Sequence, residues 1–328
     1  MSSLERIAVL GAGRMGSGIA QVFCAAGHPV RLYDTQTAVL QRAPGAIRAM
    51  FELLEQDLAG LERLACSNDL DLTVGDAEVV IEAVPERLAL KREIFARLEA
   101  AAPAGALLAT NTSAIPIADI VAGLATAHRM LGMHFWNPPH LVPLVEVVPS
   151  ARTDASTLTR AMALLERTGM SPVHVQRDIP GFIGNRLQHA LKREAIALVA
   201  SGVCDARTLD RVVREGFGSR LAVLGPLEQS DLVGLDLTLA IHEVLIPDLD
   251  RTPGPHPYLR AKVEAGRTGM AAGAGFSDWT PQDAAAVKAR LDGHLAATAR
   301  ARLARIRQSL THDSATSHRQ PSTKGPQA

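Results

Sequence analysis

Residues 6–34, RIAVLGAGRMGSGIAQVFCAAGHPVRLYD, constrain this chain more than any other stretch: an apolar strand runs into Gly11, Gly13 and Gly16, a helix follows, and a second strand ends at Asp34. Three glycines spaced this way between a strand and a helix divide the work. Gly11 allows the tight turn, Gly13 lets a pyrophosphate approach the backbone, and Gly16 lets the helix pack closely on the strand. The free N–H groups at the helix start then face an anion. The acid that follows the last glycine by eighteen residues stands where a ribose hydroxyl would be held. Gly11, Gly13, Arg14, Met15, Gly16 and Asp34 are therefore candidate cofactor-binding residues. The Asp34 carboxylate can accept from a 2′-hydroxyl but would meet a 2′-phosphate as a like charge, and such juxtapositions cost several kcal/mol. Thr35, Gln36 and Thr37 supply no arginine to offset it. NAD is the expected cofactor.

Past Asp34 the pattern alternates between helix and strand, which predicts an α/β fold with a doubly wound, mostly parallel sheet. A helix is expected over about 38–64, strands at 78–84, 106–112, MLGMHF, LVEVV and PVHVQ, and helices at 87–102 and 154–168. Chemistry in such sheets gathers at the carboxyl ends of the strands. After DIPGF the alternation stops. Leu187, Leu191, Ala195 and Leu198 then recur at helical spacing. The expected division is a dinucleotide-binding domain at 1–179, an all-α domain at 180–308 and a disordered tail at 309–328, where Ser, Thr, His, Gln and Pro leave little to bury.

A chain of 328 residues, 47% hydrophobic, is long enough for two domains. Its 34 basic and 34 acidic residues balance, which argues against a nucleic-acid partner. No apolar run reaches membrane-spanning length, and the first residues lead straight into a strand, so a cytoplasmic protein with no membrane partner is expected. Cys24, Cys66 and Cys204 are odd in number and widely spaced. That argues against a disulfide framework and against a zinc site, and small core residues are expected instead. The histidines show no metal-ligand spacing, and no metal is expected.

The motifs GAGRMG, VPE followed by Lys91, NTSAIPI, GMHFWNPP, LVEVV and PGFIGNR occur in the order found in the 3-hydroxyacyl-CoA dehydrogenase family, which residues 5 to about 295 resemble. The resemblance implies a Rossmann-type domain followed by a helical one. It also implies a homodimer formed through the helical domain, and NAD-dependent oxidation of a small-molecule 3-hydroxyl to a ketone. It gives His134 the role of general base and Glu146 that of its partner. It assigns Ser113 and Asn137 to substrate and nicotinamide contacts, Asn185 to the substrate side, and Glu86 and Lys91 to the nicotinamide end. The side-chain chemistry agrees: an imidazole exchanges protons near neutrality, and a carboxylate on its second nitrogen fixes the tautomer.

Some positions depart from the family. Where acyl-CoA enzymes carry hydroxyl and lysine groups for the CoA portion, this chain has Met50 and Asp57, and the late glycine-rich loop GMAAGAGF has Ala271 in place of a basic residue. HFWNPP is closer to the branch acting on small CoA-free hydroxy acids, which includes gulonate, carnitine and pyridine-carboxylate dehydrogenases. A third reading, a dinucleotide-binding structural protein like some lens crystallins, would call for a broken catalytic set. Here the set is complete.

Overall fold

The computed structural model describes residues 4–317, with side chains described as far as Gln308. The chain forms two compact units: Met1–Ile183 together with the residues from Asp292 onward, and Gly184–Leu291. In the first unit the order is β1 Ile7–Leu10, α1 Arg14–Ala25, β2 Val30–Tyr33, α2 Thr37–Leu53, β3 Leu64–Ser67, α3 Leu70–Val74, β4 Val79–Glu82 and α4 Leu88–Ala101. There follow β5 Leu107–Thr110, α5 Ile117–Ile120, β6 Met130–Phe135, β7 Leu144–Pro149, α6 Ala155–Arg167 and β8 Ser171–His174.

The eight strands form one sheet in the order β3-β2-β1-β4-β5-β6-β7-β8. Every pairing is parallel except β6 with β7. The chain winds outward from β1 through β2 and β3, then back across and outward from β4, which is the doubly wound topology expected. Strands β1, β4, β5 and β6 are buried along their whole length. They read as continuous apolar runs because helices cover both faces. Successive side chains point to opposite faces. Ile7 and Val9 therefore enter a core with Ile19, Phe23 and Met133, while Ala8 and Leu10 enter another with Phe95, Leu98 and Ile117.

The helix expected over 38–64 is interrupted. Helix α2 stops at Leu53, Glu55 takes a φ of 53°, and Asp57 starts a 3₁₀ turn, Leu58–Arg63, its carboxylate accepting from the Ala59 N–H at 3.0 Å. A short acidic side chain that bonds its own backbone competes with helix continuation at such a place.

The second unit holds α7 Gly184–Ala200, α8 Ala206–Glu215, α9 Pro226–Val233, α10 Leu235–Leu245 and α11 Pro257–Glu264, and helix α12, Pro281–Ser317, begins in it. No residue of α7 to α11 is buried. A cavity of about 470 Å³ lies within this unit, lined by residues such as Val199, Leu259, Met270, Phe276 and Trp279.

The division expected at 179/180 falls four residues before the change of units, and the expected helical domain does not keep all of its residues in one unit. The units change at Ile183, and from Asp292 the chain returns to the sheet unit. Leu295, Ala296, Ala299 and Leu303 share one face of α12 and pack with Leu54 and Leu141. Arg300 Nη1 donates to the Leu53 carbonyl at 3.3 Å and to Glu55 Oε1 at 3.0 Å, and Arg302 donates to the Gly169 carbonyl. Helix α12 also covers the first nine residues of the segment expected to be disordered, where no glycine or proline stands between Ser309 and Ser317 to stop it. Residues 318–328 of that expectation lie outside the described residues. Among the described residues no helix is long and apolar enough to cross a membrane and no cluster of side chains could hold a metal ion; Cys24, Cys66 and Cys204 are free thiols, but Cys24 alone of the three is a core residue, Cys66 being exposed and Cys204 half-buried.

Candidate active site

The turn after β1 shows why glycine is required there. Gly11 adopts a φ of +101°, and a Cβ on it would fall 2.7 Å from the Ala83 carbonyl oxygen; a Cβ on Gly16 would fall 1.7 Å from the Gly11 oxygen. Backbones at those distances leave no room for a side chain. Around Gly13, by contrast, a Cβ would meet nothing within 4 Å. That open space, at the N-terminus of α1, is what an approaching phosphate needs.

A cleft of about 650 Å³ opens here, where the winding of the sheet reverses between β1 and β4. Gly11, Gly13, Arg14, Met15 and Asp34 line one side of it, and Arg87 is among the residues across from them on the β4–α4 segment. Asp34 Oδ2 accepts from the Ala12 N–H at 2.9 Å and Oδ1 from the Gln36 N–H at 2.9 Å, so its carboxylate is fixed at the tip of β2. These groups fit a dinucleotide: amides for the pyrophosphate, a held carboxylate for a ribose. Arg87 is a lining residue that sequence reasoning missed; its place directly after VPE was the available signal.

The ends of β4 and β5 carry a buried charge network. Lys91 on α4 is 1% exposed and Glu82 fully buried. Lys91 Nζ donates to Glu82 at 2.8 and 3.0 Å and lies 3.2 Å from Glu86 Oε2. Glu82 also accepts from Thr110 Oγ1 at 2.7 Å and the Val84 N–H at 2.8 Å. Glu86 Oε1 accepts from Thr112 Oγ1 at 2.6 Å, the Ser113 N–H at 2.8 Å and the Ala114 N–H at 3.1 Å. Burial pushes the Glu86 carboxyl up, but these bonds and Lys91 outweigh it and hold the group below its ordinary range. Lys91 thus spends its donors on two carboxylates, and Glu86 anchors the loop carrying Ser113, whose residue is exposed. Glu82 was not singled out from sequence. A carboxylate inside the apolar run EVVIEAV was the signal, because such a charge must find a partner.

His134 on β6 and Glu146 on β7 are directly opposite in the antiparallel register, and both are buried. His134 Nδ1 is 2.9 Å from Glu146 Oε2. Glu146 Oε1 accepts from the Ile183 N–H at 2.9 Å. The rings of Trp136 and Phe182 each lie 5.7 Å from the His134 ring, tilted by 54° and 55°. On the β5 side, Asn111 Oδ1 accepts from the Phe135 N–H at 2.8 Å, tying the two strand ends together. Asn137 is exposed in the loop after β6. In that loop Pro139 presses on α1 so closely that a Cβ on Gly18 would come within 2.9 Å of its ring. Asn185 belongs to the other unit, in the first turn of α7. His140 is a loop histidine with its Nδ1 buried and without a hydrogen bond; burial brings its pKa down to about 4 against the opposing pull of Asp292. Burial likewise pushes the Cys24 thiol up to about 12, as befits an inert core residue.

A cleft shaped for a dinucleotide, on a sheet whose carboxyl edge also bears a carboxylate-oriented imidazole, defines a nicotinamide-dependent dehydrogenase. Residues 6–179 match the NAD binding domain of 3-hydroxyacyl-CoA dehydrogenase, and residues 181–279 match the C-terminal domain of the same family. The chain belongs to the 3-hydroxyacyl-CoA dehydrogenase family and is an NAD-dependent dehydrogenase. It is 33% identical over 306 residues to 5-formyl-3-hydroxy-2-methylpyridine 4-carboxylate 5-dehydrogenase of Mesorhizobium japonicum, covering 90% of this chain and 98% of the relative. It is 37% identical over 292 residues to a probable 3-hydroxybutyryl-CoA dehydrogenase of Bacillus subtilis strain 168, covering 84% and 98%. A crystal structure of a 5-formyl-3-hydroxy-2-methylpyridine 4-carboxylic acid 5-dehydrogenase, described as an NAD+ dependent dismutase, superposes with a TM-score of 0.85 at 32% identity, covering 92% of this chain and 99% of that one.

Proposed function

We propose that the protein moves a hydride between NAD and a carbon bearing a hydroxyl group, with His134 as the general base. The observation that carries this reading is the 2.9 Å contact between His134 Nδ1 and Glu146 Oε2. A proton on Nδ1 held by the carboxylate leaves the lone pair on Nε2. NAD held in the cleft would supply the acceptor for the hydride of the carbinol carbon. His134 Nε2 takes the hydroxyl proton in oxidation and returns it in reduction, and Glu146 stabilises the imidazolium in between. Ser113 and Asn137 hold the reacting oxygen without adding charge. Asn185 is assigned to the substrate by resemblance alone. Glu86 and Lys91 shape the nicotinamide end, with Lys91 acting through Glu86.

The substrate of the family reaction is a 3-hydroxyacyl-CoA. A second reading, a small CoA-free carboxylated substrate, is favoured by the closeness of the structures: the pyridine-carboxylate enzyme superposes with a TM-score of 0.85, against 0.70 for an (S)-3-hydroxybutyryl-CoA dehydrogenase of Ralstonia eutropha. Asp57, at the start of the 3₁₀ turn, points the same way, since it would repel a phosphate. The helical unit is proposed to pair with a second copy, which would cover Leu187, Leu235 and Leu239. Free thiols suit a reducing cytoplasm.

The test follows NADH absorbance with 3-hydroxybutyryl-CoA, a longer 3-hydroxyacyl-CoA, gulonate, carnitine and hydroxymethylpyridine carboxylates in parallel. His134→Ala is expected to lower turnover on the active substrate by roughly a hundredfold to ten-thousandfold while NADH still binds. Turnover of that variant near the wild-type level would remove His134 from the mechanism.

A further inference from the structure

Trp136 follows β6 by one residue, half-buried, and its indole Nε1–H donates to Glu146 Oε2 at 3.3 Å. This is the oxygen that His134 Nδ1 also contacts, at 2.9 Å. We infer that Trp136 is a positioning residue that acts on His134 through Glu146, setting how tightly the imidazole holds its proton. The inference rests on the reading of His134 as the general base.

A carboxylate that is 2% exposed needs donors to carry its charge. Each N–H it accepts disperses that charge and weakens its hold on the others. Indole N–H is a donor only and does not titrate in the working range, so Trp136 draws on Oε2 at every pH. The imidazolium formed when Nε2 takes a proton is consequently stabilised less than it would be by a carboxylate serving His134 alone. In oxidation the base stays neutral to lower pH, and in reduction it gives up its proton more readily.

Glu146, on β7, is a charged group hydrogen-bonded to the ring. Trp136 beyond β6 and Phe182 ahead of α7 are neutral, as is Asn111 at the end of β5. The Glu82, Lys91 and Glu86 charges at the ends of β4 and α4 are engaged with one another. The Ile183 N–H on Oε1 fixes the other half of the carboxylate, so removing the indole donor changes what Oε2 accepts more than where it stands.

The experiment compares the full-length wild type with Trp136→Phe and Glu146→Gln, reading the ¹⁵N titration of the His134 ring with NADH present, assigned by its loss in His134→Asn. The pH dependence of single-turnover hydride transfer, with 3-hydroxybutyryl-CoA or whichever compound of the panel is active, gives the second readout. Trp136→Phe keeps an aromatic ring beside His134 and removes the donor; it is expected to move the titration up by about 0.5–1 pH unit. The acid limb of oxidation and the basic limb of reduction should move up with it. Glu146→Gln should move them down, since the imidazolium loses its counter-charge. Should Trp136→Phe fold poorly, replacement of Trp136 by benzothienylalanine keeps the bicyclic shape and lacks only the N–H. A titration that superposes on the wild type, or moves down, overturns the inference, as does a loss of rate with no displacement of either limb. Retained turnover in His134→Ala would overturn the base assignment instead, whatever the titrations show.

Discussion

In the sheet unit even charges are buried and paired, whereas in the helical unit even leucines are exposed. Glu82 and Lys91 are sealed between β4, β5 and α4, yet Leu235 and Leu239 on α10 are each 62% exposed. The sheet unit closes its own core, with helices on both faces supplying the partners its strands need. The helices from Gly184 to Leu291 carry apolar faces that their own unit does not cover. The sheet unit thus covers its own apolar surface, and the exposed apolar faces of the helical unit are what the proposed second copy would cover.

The largest expected effect tests the sheet side. Lys91→Met leaves Glu82 as an uncompensated buried charge and should cost about 3–5 kcal/mol in urea unfolding, with Lys91→Met/Glu82→Leu recovering most of it. A cost below about 1 kcal/mol for the single variant would break the claim that these charges hold each other. Next comes the helical side. Sedimentation should find the wild type at twice 34.8 kDa at micromolar concentration. Leu235→Lys/Leu239→Lys should weaken that association at least tenfold, because each buried leucine contributes about 1.5–3 kcal/mol. A monomeric wild type would mean that the exposed leucines serve something other than a second copy.

A smaller effect concerns His140, which belongs to the sheet unit beside Asp292 of the returning helix. Its folded pKa, about 4, lies below the ordinary 6.5 because burial disfavours the charged ring. The unfolded chain therefore takes up the proton first. Stability should be full above pH 6.5 and decline as pH falls toward 4. His140→Gln should flatten that decline by about 1–2 kcal/mol, allowing for the ring's partial exposure. Identical slopes in urea titrations of the two proteins would show that His140 does not contribute. The smallest effect is Arg211→Ala on α8, whose pair with Glu215 is open to solvent; chemical denaturation should change by less than about 0.5 kcal/mol.

Much of the sheet was legible because local signals and the fold agree. EVVIEAV, ALLATNT and MLGMHF are apolar runs bounded by turn residues, and β4, β5 and β6 form inside them. The Gly-x-Gly-x-x-Gly turn carried the cofactor cleft because its glycines answer to backbone distances of a few ångströms within one motif. His134 and Glu146 were paired by resemblance, and a twelve-residue separation allowed the antiparallel register that sets them opposite. Contacts that cross the sequence were not legible. Nothing local to Trp136 says that its N–H reaches Glu146, and nothing local to Glu82 says that Lys91 closes over it. The return of residues from Asp292 was hidden for the same reason. Ala296 and Ala299 look like any helical stripe until Leu54 and Leu141 are placed beside them.

That return makes the sheet unit discontinuous in the chain, which bears on how the protein is made. As synthesis proceeds from the N-terminus, all eight strands emerge before Ala296, Ala299 and Leu303 exist to cover Leu54 and Leu141. The nascent sheet carries an apolar opening while the intervening helices are translated. Its closure waits until residues 295–303 have been made, a window in which a chaperone or a neighbouring nascent chain meets that surface first.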